Sequence, residues 1–211
     1  MRRRINIGVL VFIFSWFSCL VGFGEERSLY NKNNQIGFEV NSNLIKAWEG
    51  IDIAYRYVSF GNYSVAKDLI LKSLEIVPDF SEALFLLSKI YSLEGGKVSN
   101  SIDYLKASLT SESWVVNSSF RATTEIAKLY LRLLNPQHAI QILEQAKQKY
   151  LIEDIMAQID ADLILAQAYF EVGRLNVAQE IVEDSIIADP TNRELYFLLI
   201  RIIKERFGTI A

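Results

Sequence analysis

The sequence predicts an all-α chain built as a solenoid of about four helix pairs, with one further helix at the C-terminal end. Three observations predict it. From about Asn43 onward, apolar residues recur at spacings of three and four in segments longer than ten residues, which is the pattern of amphipathic helices, and no alternating strand pattern appears. A fixed order of small and aromatic residues returns along the chain at a near-constant interval. Gly (10) and Pro (3) are scarce enough among 211 residues to leave long helices uninterrupted, so Pro78, Pro136 and Pro190 are expected at the breaks between elements.

The first 24 residues are set apart from the fold. Arg2, Arg3 and Arg4 precede an apolar run from Ile7 to Phe14 that continues less purely to Phe23, the charged and apolar regions of a secretory signal. Gly22 and Gly24 supply small residues for a cut before Glu25, and cleavage there is expected. Two rival readings stay open. Residues 5–23 approach the span of a bilayer and would serve as a retained anchor, and Cys19 would carry a lipid if acylated, although Trp16 and Phe17 stand where bacterial lipoproteins have smaller or aliphatic residues. The expected location is outside the cytoplasm, periplasmic or in the cell envelope of a bacterium. Residues 25–42 are a polar leader with Asn31 to Gln35 at its centre.

The repeats then follow in order. Gly50, Ile53, Ala54 and Tyr57 form a small–aromatic helix face, Gly61 a turn, Ala66, Ile70 and Ser73 a second face, and Pro78 a stop. Leu84, Leu87, Ser88 and Tyr91 lead to Gly95 and then Ser101, Leu105 and Ser108. Thr123, Ile126, Ala127 and Tyr130 lead through Asn135-Pro136 to Ala139, Leu143 and Ala146. Asp162, Leu165, Ala166 and Tyr169 lead to Gly173, Ala178, Val182, Ser185 and Pro190. Asp79-x-x-Glu82 and Thr191-x-x-Glu194 read as capping boxes for the helices that start after the repeat prolines. The expected helix pairs are 44–60 with 63–77, 80–94 with 98–110, 114–134 with 136–150, and 155–172 with 174–188. A capping helix over 192–206 presents Leu195, Leu198, Leu199 and Ile202.

On these residues the chain resembles the tetratricopeptide-repeat (TPR) family, whose unit of about 34 residues carries W-x2-L-G-x2-Y, then A-x3-F, then Pro. Repeats fall near 47–80, 81–115, 120–153 and 159–192 within a domain over 43–211. Pro78 and Pro190 lie 112 residues apart, about ten more than three such periods. The extra residues are placed in the Gly95 to Ser101 turn and between the second, third and fourth units. The resemblance implies a right-handed superhelix whose concave groove is lined by the first helix of each pair. It implies groove positions Trp48, Ile51, Tyr55, Phe85, Lys89, Arg121, Thr124, Lys128, Leu163, Gln167 and Phe170, with Phe197 and Arg201 from the capping helix. A groove that is apolar at both ends and basic at its centre suits a protein partner, either an extended peptide or a helix with some negative charge. Alternatively residues 25–42, with Tyr30, Ile36, Phe38 and Val40, fold back over it. Each aromatic also has the plainer reading of a packing residue. Members that bind chaperone tails use a Lys/Asn/Arg clamp; its positions here are Ile51, Tyr55, Leu86, Arg121 and Glu125, and Arg121 alone fits.

Other function classes find little in the residues. The net charge of −3 becomes −6 without Arg2, Arg3 and Arg4, and no basic stripe with interleaved aromatics marks a nucleic-acid surface. One histidine and one cysteine cannot build a zinc site or a disulfide. Asp160 with Asp162, and Glu180 with Glu183 and Asp184, read as solvated helix faces rather than an acid–base pair, and His138 as a surface residue in a turn. Gly95-Gly96-Lys97 lacks phosphate-loop spacing, while Asn62-Tyr63-Ser64 and Asn117-Ser118-Ser119 match the glycosylation pattern. The expectation is an exported scaffold or adaptor without catalysis or cofactor, or, as the alternative, a non-catalytic regulatory or platform subunit of an envelope enzyme or transport complex.

Overall fold

A computed structural model describes residues 42–96, 98–150, 152 and 154–208. The proposed signal and nearly all of the leader lie outside these residues. Within them the elements are α1 (Ser42–Ser59), α2 (Tyr63–Ile76), α3 (Ser81–Leu93), α4 (Val98–Ser108), α5 (Ser119–Arg132), α6 (Pro136–Lys149), α7 (Ile155–Glu171), α8 (Leu175–Ala188) and α9 (Arg193–Phe207), with no strand among the described residues. α1 packs on α2, α3 on α4, α5 on α6 and α7 on α8, while α9 packs on α8 and α7. This is an all-α helical repeat.

Small residues allow the two helices of each pair to approach. Ala54, Ala127 and Ala166 are fully buried, as is Ser88, whose hydroxyl donates to the Ser101 carbonyl across the α3–α4 contact at 2.9 Å. At Gly50 a methyl group would stand 2.5 Å from Ser73 Oγ, so α1 and α2 touch there almost backbone to side chain. The tyrosines beside the small residues differ in burial. Tyr169 is buried, Tyr91 stacks on Tyr104 with ring centroids 5.3 Å apart, and Tyr57 lies exposed on the outer side of α1.

The turn inside each pair is the same motif four times. The N–H groups of Asn62, Gly96, Asn135 and Arg174 donate to the carbonyls of Tyr57, Tyr91, Tyr130 and Tyr169, each at 2.9 Å. The residue before each donor is left-handed: Gly61, Gly95 and Gly173 have φ of 71–77°, and Leu134 has φ 56°. The first three use glycine's freedom to terminate a helix in this conformation. Leu134 adopts it without that freedom.

Helix starts agree with expectation in part. α6 begins at Pro136, the expected first residue, with Asn135 as its cap, and His138 sits in the first turn of that helix rather than in the turn before it, edge-on to Tyr130 at 4.3 Å. Neither capping box forms. α9 is capped by Asn192, which accepts from the Glu194 N–H at 3.1 Å, while Thr191 turns to Asp189. α3 is entered through Phe80 without a side-chain cap, because Glu82 faces inward. α5 begins at Ser119 rather than near 114. In the connector before it, the N–H groups of Val115, Val116 and Asn117 all donate to the Glu82 carboxylate.

Three apolar clusters run along the solenoid. The first joins α1, α2 and α3 around Ile51, Ile70 and Ile90, the second centres on Phe85, Leu105 and Ile126, and the third runs from Phe120 in α5 to Ile202 in α9. Leu195, Leu198 and Ile202 bury one side of α9 in the third, so the terminal helix closes the last pair; Leu199 is partly buried beside them.

Candidate partner-binding groove

Each first helix of a pair has a face not used against its own second helix. On α3, α5 and α7 these faces, together with the terminal helix α9, line a cavity of about 660 Å3. Lys89 on α3 and Arg121, Thr124 and Lys128 on α5 stand on one side, with Phe85 and Thr124 nearly buried beneath the charged residues. Leu163 and Gln167 on α7 and Phe197 and Arg201 on α9 complete the expected lining, and Phe197 is the most open of them at 66% exposure. Phe170 lies just outside, covered by the Arg201 guanidinium 4.7 Å from its ring.

The three residues expected from α1 do not line the cavity. Ile51 is fully buried in the first cluster, because its side of α1 faces α2 and α3. Trp48 is half-buried against the same cluster. Tyr55 turns its hydroxyl to Glu82 at 2.6 Å. Burial and the neighbouring Glu82 charge push the Tyr55 phenol far above its ordinary range, so it stays a donor. The long connector between α4 and α5 closes this end: Val115 packs on the first cluster and the Asn117 amide donates to Tyr55 Oη at 2.8 Å.

Among the polar lining residues, sequence reasoning missed Asn117, Arg132, Asp160, Glu171 and Glu194, and it placed Glu125 only as a clamp position. Arg132 and Glu171 lie one turn beyond Lys128 and Gln167, so helical spacing alone pointed to them. Nothing local marks Asn117, which precedes α5.

The lining is charged on both sides. Arg121 pairs with Asp154, the cap of α7, at 2.6 Å, and this bond joins the third unit to the fourth. The arginine, with the amide N–H of Ala157, holds the Asp154 carboxyl below the usual aspartate range. Lys89, Lys128 and Arg201 pair with no carboxylate among the described residues, and neither do Glu125, Asp160, Glu171 and Glu194. No group of three or more His, Cys, Asp or Glu placed to hold a metal occurs among the described residues. None of the described helices is long and apolar enough to cross a membrane.

No protein-family model and no curated protein matches the chain. Solved structures do match its fold. The pilF protein of Pseudomonas aeruginosa superposes with a TM-score of 0.66 at 17% identity, over 78% of this chain and 70% of that one. A MamA structure from Desulfovibrio magneticus gives 0.61 at 16% identity over 77% and 86%. A structure of TPR-like repeats from a putative kinesin light chain of Podospora anserina gives 0.61 at 17% identity over 79% and 89%. The shared feature is the stacked helix-pair solenoid of the tetratricopeptide type.

Proposed function

We propose that the chain is a non-catalytic adaptor that binds a segment of another protein in the groove between α3 and α9. The observation that carries this reading is the cavity itself, where exposed Phe197 and half-buried Leu163 lie beside Lys89, Lys128 and Arg201, which pair with no carboxylate among the described residues. Apolar anchors surrounded by polar contacts are what a protein interface needs. Phe85 is a poor test position because it is buried, and its truncation would damage packing between α3 and α5. The test is co-purification from an envelope extract with the full chain and with Leu163→Ala and Phe197→Ala. A specific partner lost in both variants, with helical circular dichroism unchanged, supports the groove; a partner set unaltered in both removes it.

We further propose that residues 1–24 direct export, resting on Arg2, Arg3 and Arg4 followed by the apolar run. The mass of the mature chain should correspond to a start at Glu25. A start at Cys19 carrying acyl mass, or an unprocessed Met1, would replace this reading with one of its two rivals.

A further inference from the structure

We infer that the outer face of α9, beside the groove and not part of it, receives an amphipathic helix of another protein, one with small residues on its packing face and carboxylates along its edges. Phe197 and Arg201 of α9 correspond to Leu163 and Gln167 of α7, 34 residues earlier. By the same offset Tyr196, Leu199, Ile200 and Ile203 stand where α7 has Asp162, Leu165, Ala166 and Tyr169. On α7, Leu165, Ala166 and Tyr169 are buried in the pair that it forms with α8. On α9 no second helix among the described residues covers the face. Tyr196 and Ile200 are 41% and 49% exposed, Leu199 and Ile203 are half-buried, and Phe207 at the end of the row is 68% exposed. Tyr196, Ile200, Ile203 and Phe207 follow one another at intervals of four, three and four, a seam of about three turns of the kind through which two helices pack side by side.

No charge interrupts this seam. At the opposite end of the solenoid, α1 carries Glu49, Asp52 and Arg56 at the places where α3 packs Ala83, Leu86 and Ile90 on the first unit, and its exposed Ile45 and Ile53 stand among those charges. A polar outer face of that kind is what ordinarily finishes a repeat array. An uninterrupted apolar row on a terminal helix marks a place where a partner packs.

Charge and size define the partner. At 100° per residue Arg193 and Lys204 flank the seam on one side and Arg206 on the other, while Glu194 and Glu205 fall on the opposite side of the helix. None of the three cations pairs with a carboxylate among the described residues. Arg206 lies over the Phe207 ring at 5.0 Å and donates to Gln179 of α8, whose amide donates to Glu183 at 2.7 Å. A second copy docked α9 to α9 would set Lys204 and Arg206 against like charges in either orientation. An acidic helix meets opposite charge along both edges. Ile200 stands where the other units have Ala54, Ser88, Ala127 and Ala166, so the incoming helix must supply the small residues that let the two axes approach.

The chain's own second helices provide matched probes. Ala178, Val182 and Ser185 of α8 and Ala139, Leu143 and Ala146 of α6 form the same small–aliphatic–small packing face. Residues 174–190 carry four acidic side chains against one arginine, whereas residues 135–150 carry Lys147 and Lys149 at the edges of that face against Glu144. The test is fluorescence anisotropy of the full chain with these two peptides, labelled and blocked at both ends. The 174–190 peptide should bind, gain helical circular dichroism and weaken with added salt. It should lose about tenfold or more affinity with Ile200→Glu, and severalfold with Arg193→Glu and Lys204→Glu combined. All three changes are at exposed positions. The 135–150 peptide should bind about tenfold more weakly. No binding of the first peptide at about 1 mM, or equal affinity in wild type and Ile200→Glu, overturns the docking face. Equal or better binding of the second overturns the acidic partner. Displacement by a peptide of residues 25–42 would give the seam to the chain's own leader. A dimer in sedimentation equilibrium that Ile200→Glu dissociates would give it to a second copy, and either result overturns the inference.

Discussion

Glu82, itself fully buried, receives the Tyr55 hydroxyl, the Asn117 amide and three consecutive backbone N–H groups. Removing the carboxylate would leave five donors without their shared acceptor and a cavity at a fully buried position, so Glu82→Ala should destabilise the chain by about 3 kcal/mol. Tyr55→Phe should cost about 1 kcal/mol. Urea denaturation followed by circular dichroism checks both, and near-equal effects would contradict the carboxylate's central place. Leu134 offers the opposite case. It is largely exposed and left-handed where the other turns have glycine, so Leu134→Gly should stabilise by about 0.5–1 kcal/mol in the same assay. The sequence showed the glycines of three turns and only an Asn-Pro pair in the other. It also offered Glu82 at capping-box spacing, because inward and capping carboxylates look alike until a distant loop decides between them.

At the scale of elements, period and small–aromatic order made the helices legible to within a few residues. What stayed hidden depends on contacts far apart in sequence, namely the late start of α5 and the withdrawal of α1 from the groove. The join between α5 and α7 through Arg121 and Asp154 is likewise non-local. Asp154 has a folded pKa below its unfolded value of about 3.9. Its contribution is therefore fully present above about pH 4 and is lost as pH falls through the lower folded value. Asp154→Asn keeps a capping side chain and removes the charge. The difference in unfolding midpoint between wild type and this variant should hold steady at neutral pH and vanish in strong acid. A difference that persists there would assign the effect to the cap rather than to the ion pair.

For the whole molecule, the second and third apolar clusters share Tyr130 and Ile142 at their margins, and Phe85 and Trp114 of the second stand edge to face 6.1 Å apart where the connector joins α3 to the third unit. The carboxylate of Glu82 binds together a tyrosine of the first unit, a helix of the second and the approach to the third. The fourth unit and α9 have no share in it. The same connector gives the groove a closed end. A segment entering beside α9 can pass three helix steps, roughly 25–30 Å, before it reaches Phe85, which allows about eight or nine residues when it is extended. Affinity should rise as a bound peptide is lengthened to that size and then level off in titration calorimetry, and a continued rise would mean that the segment runs on over α1. The protein would thus act as a ruler, admitting a fixed length of its partner.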